Sequence, residues 1–116
     1  MGAVIFFKTE DVQRTIDFYT SVLGFSSWLT QHNIEILKYD NLLLGIQLAE
    51  STSPAPLLGL FVNSKEEVDR LYSRLNDLTE DVPAINSVYD IYGFFAKDID
   101  GRRIEVFTYL IETPDI

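Results

Sequence analysis

The alternation of apolar and polar positions divides the chain into short elements. Val4–Lys8 is a β-branched and aromatic run and reads as a strand. Thr9 offers a cap after it, and Glu10 and Asp11 place negative charge where a helix would start. Val12, Ile16, Tyr19 and Leu23 recur at helical spacing, so they form one apolar face, which Gly24 ends. Period-two patterns then predict strands over Ser26–Gln31 and Ile34–Tyr39, joined at His32-Asn33. Asp40-Asn41 reads as the next tight turn, and Leu42–Leu48 as a more apolar third strand.

Residues 49–56, AESTSPAP, are small, polar and proline-bearing, and read as a linker. The pattern then repeats. Leu57–Val62 predicts a strand. Ser64 and Glu67 form a capping box ahead of an apolar stripe at Val68, Leu71 and Leu75, with Tyr72 beside it. Asp81–Val88 is a weaker strand, Ile91–Lys97 a strong one, and Asp98–Gly101 a turn leading into a last strand over Arg102–Tyr109. Asp11–Arg14 also aligns with Glu67–Arg70 at an offset of 56, in agreement with a duplicated order of elements. Three hairpin-linked strands after each helix point to an α+β fold rather than a parallel α/β sheet. The reading is one domain over 1–116, with a first module over about 1–48, the linker at 49–56, a second module over about 57–110 and a short tail at 111–116.

Charge and composition then narrow the chemistry. The chain carries 18 acidic and 9 basic residues, a net of −9, so it lacks the cations that nucleic acid or an anionic membrane would require. It has no cysteine, which removes disulfides, thiolate catalysis and Cys-zinc sites. Its lone histidine, His32, sits at a predicted hairpin tip with no second histidine to share a metal. Phosphate-binding loops, dinucleotide glycine fingerprints and HExxH are all absent from the sequence. No apolar run is long enough to span a membrane, and the start lacks a secretion signal, so the expected location is the cytoplasm.

Two segments carry a family likeness: DVQRTIDFYTSVLGF over 11–25 and YGFFAKDIDGRRIEVF over 92–107. Both resemble the vicinal oxygen chelate superfamily of glyoxalase I, extradiol dioxygenases, fosfomycin-resistance enzymes and bleomycin-resistance proteins. The resemblance implies two βαβββ modules in tandem, a curled mixed sheet with an open cleft for the ligand, and a homodimer. In metal-dependent members the first and last strands of each module supply the ligands. Counted back from Phe18-Tyr19 the first position falls on Val4, and counted back from Val62 the third falls on Leu57; the second falls near Gly45 or Gln47 and the fourth on Glu105. Val4 and Leu57 have no donor atom and Gln47 is at best a weak carbonyl ligand, so no metal or other cofactor is expected.

Alternation along RRIEVFTY sends Ile104 and Val106 to the helix side and Glu105, Phe107 and Tyr109 to the cleft. There Glu105 would hold a cationic or hydrogen-bonding ligand, or else form a salt bridge to Lys8 or Arg103. Val4, Phe6 and Leu57 would supply an apolar floor. Trp28, Tyr39, Phe94, Phe107 and Tyr109 would supply aromatic walls of the kind that stack flat ligands and attract cations, and Gln47 a polar contact. The same aromatic and apolar residues also read as core or as dimer interface. Together these features predict metal-free binding and sequestration of a small organic molecule of cationic, aromatic, antibiotic type. The alternatives are a lyase, isomerase or dioxygenase built on a displaced metal site with Glu105, acid–base catalysis by Glu105 alone, and an interaction module with a vestigial cleft.

Overall fold

A computed structural model describes all residues, Met1–Ile116. The elements run β1 (Gly2–Thr9), α1 (Val12–Asp17) continued by a π-helical turn (Phe18–Val22), β2 (Ser26–Gln31), β3 (Ile34–Tyr39), β4 (Leu42–Leu48), β5 (Ser53–Phe61), α2 (Lys65–Leu75) with a 3₁₀ turn (Asn76–Leu78), β6 (Ala84–Asn86), β7 (Ile91–Lys97) and β8 (Arg103–Tyr109). The order is βαβββ twice, and the class is α+β. No helix is long and apolar enough to cross a membrane. The chain forms two compact units, one of Val4–Pro56 with Pro114–Ile116 and one of Leu57–Thr113 with Met1–Ala3.

Each unit is a mixed sheet backed by its helix. In the first, the strands lie in the order β2-β3-β4-β1, with β1 parallel to β4 and the others antiparallel. Leu37, Leu44 and Ile46 face α1 and pack against Ile5, Phe7, Val12, Ile16, Tyr19 and Phe25. In the second, the order is β5-β8-β7-β6, with β5 parallel to β8. Val68 of α2 is fully buried and packs with Phe94, Ala96 and Val106. Burying side chains of this size contributes on the order of 2 kcal/mol each.

Local chemistry accounts for the element ends. Asp11 caps α1 by accepting from the Arg14 amide at 3.1 Å, and Ser64 caps α2 by accepting from the Glu67 amide at 3.2 Å. Gly24 takes φ +85°, the left-handed conformation that ends the first helical stretch. The turn between β7 and β8 is held by Asp98, whose Oδ1 accepts from the amides of Asp100 (2.8 Å) and Arg102 (2.9 Å).

Two strands differ most from the sequence reading. The strand expected at Leu57 begins at Ser53, so half of the linker-like stretch is extended chain; the fixed φ of Pro54 and Pro56 suits that conformation as well as it suits a loop. The strand expected over Asp81–Val88 shrinks to Ala84–Asn86, because Asp81 and Asn86 use their side chains to bond backbone amides of Phe95 and Val88.

The duplication has two offsets. The packed stripes Val12, Ile16, Tyr19 and Val68, Tyr72, Leu75 match at 56 residues. The caps Asp11 and Ser64 match at 53, so α2 makes one further turn before it meets its sheet.

In the first unit, Phe6 lies opposite Gly45 in the β1–β4 register, and its ring covers that glycine. A Cβ at Gly45 would stand 2.3 Å from Phe6 Cδ1. Gly45→Ala is therefore expected to cost about 1–3 kcal/mol in urea unfolding through overpacking. In a Phe6→Leu background the same change should cost less, because the obstructing ring is gone.

Candidate functional site

The second unit places one ionisable side chain on the face turned away from α2. Ile104 and Val106 pack toward the helix, so Glu105 between them projects to the other side. The register sets Gly59 of β5 on one side of Glu105 and Phe95 of β7 on the other. Gly59 brings no side chain to that position. Glu105 and Phe95 line a pocket of about 380 Å³ with Gly93, Ile91 and Asp81, and residues 84–87 form its outer wall.

Within the protein, Glu105 has no hydrogen bond and no ion pair. Neither of the partners considered from sequence reaches it. Lys8 makes no ion pair, and Arg103 turns away, its Nε donating to Glu80 Oε2 at 3.2 Å with the guanidinium 4.0 Å from the centre of the Phe95 ring. Burial without a partner pushes the Glu105 carboxyl up to about 7; Arg103 draws it down in part, and the nearby Asp81 carboxylate pushes it up. Burial also raises the hydroxyl of Tyr109, four residues along the same strand, and the Glu105 charge adds to this.

The other sequence candidates separate by face. Leu57 is in phase with Gly59 and lies on the Glu105 side, half-buried and without a donor. Phe107 is on that side too, but only 2% exposed, and its ring packs against Phe61 and Tyr109 as core rather than as an open wall. Phe94 is among the residues that line the pocket, but its ring does not form the expected aromatic wall: it packs on the α2 side and meets Tyr72 edge-on, because the β7–β8 hairpin pairs Phe95, not Phe94, with Glu105.

In the first unit Val4, Phe6 and Gln47 do lie on the face away from α1, since Ile5, Phe7 and Ile46 point toward it. Val4 and Phe6 are buried and Gln47 is half-buried. Tyr39 is a second correction. It is in phase with Leu37, so it packs on Phe25 at the α1 side. Trp28 sits at a register shift in β2 and is buried, with its Nε1–H donating to the Asp115 carbonyl at 3.1 Å. Sequence reading missed Phe95 and Asp81. Counting equally outward from Asp98 and Gly101 pairs Phe94 with Glu105; the hairpin instead closes with Asp98 opposite Arg102, and that one-residue offset brings Phe95 beside Glu105. Asp81 had no signal in the sequence, since its place depends on a side-chain bond to the Phe95 amide at 2.7 Å.

A match to the model of the Glyoxalase/Bleomycin resistance protein/Dioxygenase superfamily covers residues 4–106, and the chain belongs to that superfamily. None of the curated proteins matches the sequence significantly. Among solved structures, the fold is similar to an NAD-dependent benzaldehyde dehydrogenase from Legionella pneumophila (TM-score 0.76, 20% identity, covering 92% of this chain and 98% of that one). It is similar to a superfamily member from Vibrio splendidus 12B01 (TM-score 0.66, 18% identity, 91% and 97%). It is also similar to a Mn(II)-bound glyoxalase from Novosphingobium aromaticivorans (TM-score 0.70, 18% identity), of which it spans 40% while 97% of this chain is covered. At these identities the likeness is one of fold.

The metal that the family implies can be tested against the residues. The register resolves the position left open between Gly45 and Gln47. Phe6 faces Gly45 as Gly59 faces Glu105, and Phe6 and Gly59 are 53 residues apart, like the two helix caps. The four positions are therefore Val4, Gly45, Leu57 and Glu105. Only Glu105 carries a donor, the Phe6 ring fills the space beside Gly45, and no group of three or more His, Asp or Glu residues comes together anywhere in the chain. This donor set does not fit a divalent transition metal.

The raised Glu105 carboxyl makes stability depend on pH. Its folded value lies above the ordinary 4.5, so its contribution is complete below about pH 4.5 and is lost as pH rises toward 7. The difference amounts to about 3 kcal/mol. Glu105→Gln removes this penalty. Urea unfolding should show the variant more stable than the parent by up to about 3 kcal/mol near pH 8, with the gap closing near pH 4.

Proposed function

We propose that this protein binds a small organic cation in the second-unit pocket, with Glu105 as its anionic partner and with no divalent metal. The observation that carries the reading is a half-buried carboxyl that has no partner in the protein and faces a pocket large enough for a small ring system. A buried carboxylate without a partner is costly, and an incoming cation removes that cost. Phe95 offers an aromatic surface beside it, and Asp81 adds a second negative charge to the lining. Binding of this type sequesters its ligand, and no bond is made or broken.

Benzylammonium is a suitable probe, with benzyl alcohol as its neutral counterpart. The cation should bind the ionised form of Glu105, so its affinity should fall about tenfold per pH unit below about 7 and level off above. Calorimetry near pH 6 in two buffers of different ionisation heat should detect release of close to one proton. Glu105→Gln should weaken the complex at pH 8 by about tenfold or more. Affinity that is flat from pH 5 to pH 8 and unchanged in the variant would sink the proposal.

The position of the same carboxyl favours a second reading. A group that titrates near 7 is matched to accept and return a proton at neutral pH, as a general base does. A proton-transfer enzyme would exchange an activated carbon-bound hydrogen of a bound carbonyl compound with deuterated solvent, and Glu105→Gln would abolish the exchange.

A further inference from the structure

The Thr79–Asp81 segment is stitched along the open edge of β7. Thr79 bridges Ala96, the Glu80 amide donates to the Phe95 carbonyl at 2.8 Å, and Asp81 Oδ1 accepts from the Phe95 amide at 2.7 Å. These bonds fix the backbone of Glu80 and leave its carboxylate to reach across to Arg103. Arg103 and Glu105 are two residues apart on β8 and share one face. Arg103 is thus the cation nearest in sequence to the pocket carboxyl. Instead of pairing with Glu105, its guanidinium sits over the Phe95 ring and is held there by Glu80.

We infer that Glu80 is a specificity-determining positioning residue: by docking Arg103 on Phe95 it keeps the protein's own guanidinium out of the Glu105 pocket and reserves that pocket for cationic ligands. The inference rests on the binding reading above. It adds that the charge preference of the site is set from outside the pocket, by a residue that touches no ligand. The charged groups around the pocket are then sorted by role. Glu105 and Asp81 present negative charge to the ligand, and Arg103 is kept aside. Once released, the guanidinium has the length to swing over the rim and compete with an incoming cation for the same oxygens.

The test is a set of three variants read with benzylammonium and benzyl alcohol. Glu80→Gln keeps the backbone stitch and removes the charge that holds Arg103. It should lower benzylammonium affinity by about five- to tenfold and leave benzyl alcohol nearly unchanged. Arg103→Gln alone should bind benzylammonium at least as tightly as the parent. The double variant should recover the parent's affinity, because no guanidinium remains to occupy the pocket. A merely structural role for Glu80 would leave the double variant as weak as the single one, and that result would overturn the inference.

A readout without ligand separates this inference from the binding reading. In the parent, the Arg103 side-chain protons should be shifted upfield by the Phe95 ring, and its Nε–H should be slow to exchange; both features should vanish in Glu80→Gln. If the parent binds no cation but these signals change, the binding reading has failed and the docking of Arg103 stands. If the signals are the same in parent and variant, Glu80 does not position Arg103.

Discussion

The register of the β7–β8 hairpin is the constraint on which the candidate site depends. It is set by one carboxylate, Asp98, which holds two backbone amides across the turn, and by Gly101, whose φ of +86° few other residues accept. With the turn fixed, Lys97 pairs with Arg103 and Phe95 with Glu105, so the alternation of every side chain on both strands follows. Ile104, Val106, Phe94 and Ala96 go to the helix, and Glu105, Arg103 and Phe95 go to the other face. A slip of one residue would bury the carboxyl under α2 and expose the core, a combination the apolar helix stripe would not tolerate.

The face opposite the helices is treated differently in the two units. In the first, the large residue stands on the first strand and the glycine on the last: Phe6 lies over Gly45, and the surface is filled. In the second the arrangement is reversed, with Gly59 on the first strand and Glu105 on the last. In one repeat this position is filled by packing. The other keeps a carboxyl that the protein leaves unpaired, and folding tolerates this because the group can take up a proton near neutral pH.

Much of this organisation was legible in the sequence. The order of elements, both helix caps, the turn residues and the face of Glu105 follow from short-range rules, because turns and alternation act over a few residues. The aromatic character of Tyr39 and Phe94 suggests the cleft face for both; counting from the Asp40-Asn41 turn places Tyr39 correctly, whereas Phe94 depends on the one-residue offset by which the last hairpin closes at Asp98 and Arg102. Trp28 escaped local rules for a different reason. Its environment combines a bulge in β2 with a carbonyl 87 residues away, and neither leaves a periodic trace. Asp81 and the docking of Arg103 were invisible for the same reason, since they depend on side chains bonding to a strand edge that sequence spacing does not specify.

The Phe6–Gly45 contact also bears on the history open to this chain. A lineage that placed any larger side chain at position 45 would first have to remove the ring that occupies the space. Removing the ring alone would leave a buried cavity costing about 3–5 kcal/mol, a large part of the 5–15 kcal/mol that holds a typical domain together. Adding the side chain first would force it into the ring. Each single step is therefore less stable than the present pair, and the two changes are tolerated best together. The contact acts as a latch: with a phenylalanine and a glycine settled into each other, substitutions elsewhere on the face meet less resistance than any change at either of these two positions.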